Sequence, residues 1–252
     1  MKKDSLSVSA LVPAYNEQKN IGQIISILKK SRLIDEIICI NDGSTDKTLQ
    51  IIQSFPKVSV INLKKNCGKA HAIVQGLKKA KGEIVVFIDA DVIGFENDSL
   101  KKLITPLKKG LVDAVIGYPV HNKMDKFFKP LAGERAYFRK DLLPHLPSLK
   151  NKRWGLELHL NYLFRQKKVR ITPLQIQNTM KHHKYSYDLA AKIFFIESFD
   201  LLLEILKQKR PINYFKDSYI YPFYRERLLT KTRQNPGKLI VQYSLKIYNR
   251  LV

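Results

Sequence analysis

Apolar positions in the first half of the chain alternate between two periods. Short β-rich runs at 7–12 (SVSALV), 36–40 (EIICI), 58–63 (VSVINL), 83–88 (EIVVFI) and 114–120 (AVIGYPV) read as strands. Between them, Ile21, Ile24, Ile25 and Leu28 fall three and four apart, as do Ala70, Ile73, Val74 and Leu77, which predicts helices over 21–30 and 69–79. Leu49, Ile51, Ile52 and Phe55 predict a helix over 45–55 capped by Asp46, and a further helix over 99–108 is capped by Asp98. A βαβαβαβαβ order implies a mostly parallel sheet with helices on both faces. Ligands of such sheets bind beyond the carboxyl ends of the strands. The polar clusters 13–17, 41–46, 66–69 and 89–91 each follow a strand end, so they are expected to converge on one edge.

After residue 120 the rhythm changes. Residues 121–149 mix aromatics, basic residues and prolines, 153–168 (RWGLELHLNYLFRQKK) reads as a helix opened by a glycine, and 169–177 reads as a strand pair or one bent strand. An amphipathic helix is expected over 189–208, and the tail from Arg210 onward is basic and tyrosine-rich.

Composition narrows the partners. The 252-residue chain carries a formal charge of +23, which implies an anionic partner: phosphorylated substrate, membrane surface or nucleic acid. Apolar and aromatic content argue against disorder. Two cysteines, Cys39 and Cys67, make neither a disulfide framework nor a zinc site, so a cytoplasmic setting is expected. The N-terminal residues have no apolar run of signal-peptide length, and Lys192, Glu197, Asp200 and Glu204 interrupt the most apolar later stretch.

The sharpest chemical signal is FIDADV at 87–92. Ionised carboxylates at a buried strand end are costly without a compensating cation. On an extended segment Asp89 and Asp91 would point the same way, and paired oxygen donors suit Mg²⁺ or Mn²⁺. The expected cation is a metal that carries phosphates. Asp42, in a loop after a strand, is an acceptor suited to a base N–H, or an Asx-turn residue.

LVPAYNE after the first strand, NDGSTD after the second, NCGKAHAI before the third helix and VVFIDAD at the fourth strand together resemble the nucleotide-sugar-binding half of family 2 glycosyltransferases with the GT-A fold. The resemblance implies a Rossmann-like, mostly parallel α/β sheet and transfer of a sugar from a UDP- or GDP-sugar with Mg²⁺ or Mn²⁺. It places Pro13, Ala14, Tyr15, Glu17, Asp42, Lys69, Asp89 and Ala90 around the nucleotide sugar and Asp91 on the metal. Further on, PLAGERAYFRKDLL and WGLELHL resemble the acceptor half of glucosyl-3-phosphoglycerate synthase-like enzymes, which places Gly133, Glu134, Gly155 and Glu157 at the sugar and acceptor. The segment before Pro130 is too short for the phosphoglycerate-binding loop, so the acceptor stays open: lipid phosphate, small anionic metabolite or growing glycan. The same resemblance implies a histidine metal ligand, met by His182 or, in reserve, His183. Asp91, Glu157 and Glu134 are the catalytic candidates, with Glu157 either a base or a holder of sugar hydroxyls.

Three parts are therefore expected: a nucleotide-sugar half over 1–120, an acceptor and metal-completing half over 121–185, and an amphipathic helix with a basic tail over 186–252. The tail suits an anionic membrane surface, giving a peripheral position on the inner face of the membrane, or a dimerisation arm; nucleic acid ranks last. The competing reading is a non-catalytic basic binding module on the same fold.

Overall fold

The structure, a computed structural model, describes residues 6–120, 129–150, 152, 155–178, 205–206 and 208–220. Five strands fall where the alternation puts them: β1 (Val8–Ala14), β2 (Glu36–Asn41), β3 (Ser59–Asn62), β4 (Ile84–Phe87) and β6 (Ala114–Pro119). The short β5 (Val92–Ile93) precedes β6. Helices α1 (Ile21–Lys30), α2 (Thr48–Gln53), α3 (Lys69–Lys79) and α4 (Asn97–Lys108) fill the connections. The second half adds β7 (Glu134–Phe138), the short helices α5 (Arg139–Leu142) and α6 (Leu146–Leu149), α7 (Leu156–Leu163), β8 (Val169–Leu174), β9 (Gln177–Asn178) and α8 (Pro211–Phe215).

Seven strands form one sheet in the order β3-β2-β1-β4-β7-β6-β8, and β5 pairs with β9 apart from it. All neighbours in the large sheet are parallel except at β7, which runs antiparallel to both β4 and β6. Side chains alternate across the sheet as the strand period demands. Ala10 and Val12 of β1, Cys39 of β2 and Val86 of β4 pack with Ile24 and Leu28 of α1 and Leu103 and Leu107 of α4. Leu11, Ile38, Ile40, Val85 and Phe87 pack on the other face with Ile73 and Leu77 of α3 and Leu156 and Leu160 of α7. Each such buried aliphatic side chain contributes about 1.5–3 kcal/mol relative to exposure. With both faces covered, the sheet has the helix-sheet-helix layering that the pattern implied.

Some local expectations are corrected. Asp98 does not cap α4. The helix begins at Asn97, with Glu96 at the cap position, and Asp98 sits in the first turn paired to Lys102 at 2.8 Å. A first-turn carboxylate still meets the positive end of the helix dipole. Asp46 does act at the start of α2, where its carboxylate accepts from the Thr48 N–H at 2.9 Å. Residues 169–178 hold two strands rather than one bent strand, and they do not pair with each other: β8 joins the large sheet and β9 pairs with β5. The amphipathic pattern at 189–208 lies almost wholly outside the described residues.

Strand order locates the crevice. The chain moves outward from β1 through β2 to β3, then returns to place β4 on the other side of β1. The carboxyl ends of β1 and β4 thus flank a topological switch point, the place where open α/β sheets bind ligands.

Candidate active site

Everything that follows β1, β2 and β4 meets at this edge. After β1, Asn16 takes a left-handed conformation (φ 55°) and its backbone N–H donates to Ser44 Oγ at 3.0 Å. The Asn16 side chain in turn accepts from the Thr45 N–H at 2.9 Å, and the Glu17 N–H donates to Thr48 Oγ1 at 2.8 Å. These bonds tie the loop after β1 to the loop after β2. They also leave Tyr15 pointing outward, 42% exposed, beside buried Ala14. An exposed aromatic ring of this kind offers an apolar face on which a planar group can stack.

Asp42 is itself buried, and its two carboxylate oxygens accept from the backbone N–H groups of Cys67 and Gly68, each at 2.8 Å. It is neither an Asx turn nor a cap for the residues that follow it; it clamps the loop ahead of α3. Gly68, at φ 91°, makes the bend there that most side chains resist. Lys69 begins α3 immediately afterwards.

Lys69 Nζ stands 2.7 Å and 2.9 Å from the two oxygens of Asp89 and 3.1 Å from Glu157 Oε1. Asp89 follows β4, and Glu157 lies in the first turn of α7. Burial works against the ammonium, but Asp89 and then Glu157 outweigh it and raise its pKa. The cation that the strand-end carboxylate called for is thus, in this structure, a side chain of the protein. Glu157 does not pair with Arg165, the surface partner its sequence neighbourhood offers; Arg165 reaches Asp217 at 3.5 Å.

Gly133 completes the wall. A Cβ there would run into the Asp89 carboxylate and Lys69 Nζ, so no larger residue fits without displacing the pair. Next to it, Glu134 is 0% exposed, and neither of its oxygens finds a hydrogen-bond partner among the described residues. Burial first, then the Asp89 charge, pushes the Glu134 carboxyl up to about 8, against the opposing pull of Lys69. Asp91 adds to that push, which places it in the same field. The strand, however, ends at Phe87, and Ala90 and Asp91 form a turn rather than extended backbone. The strand alternation that aligned Asp89 with Asp91 therefore does not hold there. Ala90 is buried under that turn.

Asp89 and Glu157 thus pair with one ammonium, with Glu134 behind them and Asp91 in the field of Glu134. The donor set is all carboxyl oxygen, of which the two buried, unpartnered oxygens of Glu134 keep their proton up to about pH 8. That chemistry fits a hard dication such as Mg²⁺ or Mn²⁺. Among the described residues no group of three or more His, Cys, Asp or Glu side chains stands close enough to hold an ion. His182 and His183, expected to complete the shell, lie outside the described residues.

Two site residues escaped the sequence reading. Arg135, 1% exposed, and Asn161 on α7 are hydrogen-bonded at 2.7 Å behind Gly133. Arg135 alternates with Glu134 and Ala136 along β7. A period-two reading of GERAYF would have put it on the face of Tyr137, but Asn161 carries no comparable signal.

Comparison with known proteins agrees with this architecture. The glycosyl transferase family 2 profile matches residues 9–175. An uncharacterised protein of Methanocaldococcus jannaschii is 33% identical over 53% of this chain and 67% of its own length. A dolichyl-phosphate beta-glucosyltransferase of Trichomonas vaginalis is 32% identical over 44% of this chain, which spans 39% of that relative. Glucosyl-3-phosphoglycerate synthase from Mycobacterium tuberculosis, crystallised with Mn²⁺, UDP-glucose and phosphoglyceric acid, is 22% identical and superposes with a TM-score of 0.62 over 80% of each chain, a likeness of fold. The sheet is the Rossmann-like GT-A sheet, and the chain belongs to glycosyl transferase family 2.

Proposed function

We propose that the chain transfers a sugar from a nucleoside-diphosphate sugar, UDP- or GDP-linked, to an anionic acceptor, either a lipid phosphate or a small anionic metabolite, with Mg²⁺ or Mn²⁺ as cofactor. The observation that carries this reading is that two carboxylates, Asp89 and Glu157, share the single Lys69 ammonium at the β1/β4 switch point, where a diphosphate alone would be repelled and a diphosphate with a dication is attracted. Pro13, Ala14, Tyr15, Glu17 and Asp42 line the nucleoside side of this pocket. Asp42 keeps lone pairs for a base N–H while it holds the loop at Gly68. Asp91 and His182 would hold the metal, with Asp89 and Ala90 beside it. Bound there, the ion would neutralise the charge of the departing diphosphate.

The remaining work falls to the protein. Lys69, 30% exposed at the mouth of the pocket, is placed to turn from Asp89 towards the diphosphate oxygens. Glu157, held beside that ammonium, takes the proton of an acceptor hydroxyl as its oxygen bonds to the anomeric carbon and the bond to diphosphate breaks. Glu134, fully buried beneath, holds its proton up to about pH 8 and takes no direct part in the transfer step. In this reading residues 1–120 are the donor half, 121–185 the acceptor half and 186–252 a helix and basic tail. The relatives support an anionic acceptor: one is a dolichyl-phosphate glucosyltransferase, and the other was crystallised with phosphoglyceric acid. The net charge of +23 supports it too, and the basic tail fits peripheral contact with the inner face of a membrane if the acceptor is a lipid. No helix among the described residues is long and apolar enough to cross a membrane.

The test is a thermal-shift panel of UDP-, GDP- and dTDP-sugars, each with and without Mn²⁺, on the wild-type chain and on Asp91→Ala. One nucleotide class should raise the melting temperature only with the metal, and Asp91→Ala should lose that joint shift. A chain that responds to anionic vesicles but to no nucleotide would be a binding module instead.

A further inference from the structure

We infer that Arg135 and Asn161 are positioning residues that set the spacing between the Gly133 wall and the Glu157 wall of the acid pocket. This rests on the reading of Lys69 and Glu157 as site residues. Arg135 is a buried cation whose hydrogen bonds among the described residues all go to neutral acceptors. Nε donates to the Ala132 carbonyl at 2.6 Å, Nη2 to the Pro130 carbonyl at 2.7 Å, and Nη1 to Asn161 Oδ1 at 2.7 Å and the Tyr137 hydroxyl at 3.2 Å. Nη1 also lies 3.5 Å from the Glu157 carbonyl. Burying a guanidinium without a carboxylate is expensive, and packing alone would be served as well by Met or Leu. What the planar fork supplies is a fixed geometry between three pieces of chain.

Asn161 doubles the lock. It lies one turn beyond Glu157 on α7, and its amide donates to the same Pro130 carbonyl at 2.8 Å and to the Ser218 carbonyl at 2.7 Å. The turn at 130–132 is therefore fastened to β7 by Arg135 and to α7 by Asn161. Gly133 follows directly, pressed against Asp89 and Lys69. Glu157 sits on the helix at the other end of the same lock. The packing of Leu156 and Leu160 holds α7 on the sheet, and the lock adds the polar tie that sets how closely Glu157 approaches the Gly133 wall.

The test compares Asn161→Leu, which removes every hydrogen bond of the amide, and Asn161→Asp, which keeps an acceptor for Arg135, with Leu103→Ala, a core change in α4 away from the lock. Hydrogen exchange followed by mass spectrometry on the full chain should show peptides over 129–138 and 155–163 exchanging roughly tenfold faster in Asn161→Leu. Peptides over β1 to α3 should stay at the wild-type rate. UDP affinity should stay within about threefold, donor KM should hardly move, and kcat should fall about 10–100-fold, as expected of misplaced reacting groups. Asn161→Asp should lie between, and Leu103→Ala should lower the melting temperature without the local exchange pattern. The proposal is overturned if the two segments exchange as in the wild type, or if Asn161→Leu loses kcat only as far as Leu103→Ala does. If the wild type transfers no sugar, the sugar-transfer reading falls by itself, while the exchange pattern and UDP titration still decide the role of the lock.

Discussion

Lys69 Nζ lies 3.1 Å from Glu157 Oε1, joining the first turn of α3 to the first turn of α7. The same ammonium also holds Asp89. At an effective dielectric near 20, an ion pair at about 4 Å is worth roughly 4 kcal/mol before desolvation is subtracted. One lysine thus organises both walls, yet a single positive charge cannot neutralise both Asp89 and Glu157. That imbalance is the property from which the proposed chemistry follows.

Replacing this lysine should separate its two effects. Lys69→Met leaves Asp89 and Glu157 facing each other unpaired, and should destabilise the fold by about 1–3 kcal/mol. With the competing cation gone, the pocket should bind Mn²⁺ more tightly when no nucleotide is present, while sugar transfer falls about 100-fold. A melting curve, an EPR titration of Mn²⁺ and an initial-rate assay read the three effects.

Gly133→Ala tests how close the packing is. Its new methyl group meets the ends of two side chains, Asp89 and Lys69, rather than backbone, so the fold should survive with a melting temperature within a few degrees of the wild type. Transfer should still drop about tenfold or more because the pair must shift. Unchanged kinetics would show that Lys69 and Asp89 have room that the structure denies them.

Much of the scaffold was legible in the chain. The apolar β-rich runs at 7–12, 36–40 and 83–88 gave β1, β2 and β4 because a parallel sheet covered on both faces buries its strands almost throughout. The 3.6-residue spacing of Ile21 to Leu28 and of Ala70 to Leu77 gave α1 and α3 for the same kind of reason. Strand β7 escaped because both of its faces are buried and carry charge: Glu134 on one, Arg135 on the other. The Lys69–Glu157 pair escaped because it depends on how two distant helices approach, and Glu157 had nearer basic residues in sequence. Asp42 stood out by its place after β2, but its bonds to Cys67 and Gly68 depend on the approach of two loops, which no local pattern encodes.

Those bonds give a third expectation. Asp42→Ala removes the acceptors of two backbone N–H groups and frees the loop that aims Lys69. The loss should be about 1–3 kcal/mol of stability, with nucleotide affinity weakened about tenfold or more by calorimetry. Asp42→Asn, which keeps one acceptor, should fall between Ala and wild type.

Acidity offers a fourth. Glu134 ionises near 4.5 when unfolded but holds its proton to about 8 when folded, so the unfolded state gains as pH rises through that window and the fold loses stability. Glu134→Gln lacks this loss, and its advantage in melting temperature should widen from about pH 4.5 to about 8 and then level off. His159 acts at the other end. Burial, helped by Lys152 and His145, pushes it down to about 4 from 6.5, so stability is lost as pH falls through that range. His159→Phe should flatten the acid limb. Melting curves across pH for both variants check the two slopes.

The most direct measurement is a crystal structure grown with UDP and Mn²⁺. An anomalous manganese peak beside Asp91, with the diphosphate lying between it and a Lys69 turned away from Glu157, is the required result. Nucleotide bound elsewhere on the chain, with the Asp89–Lys69–Glu157 contacts intact and no manganese near Asp91, would contradict the acid-pocket account.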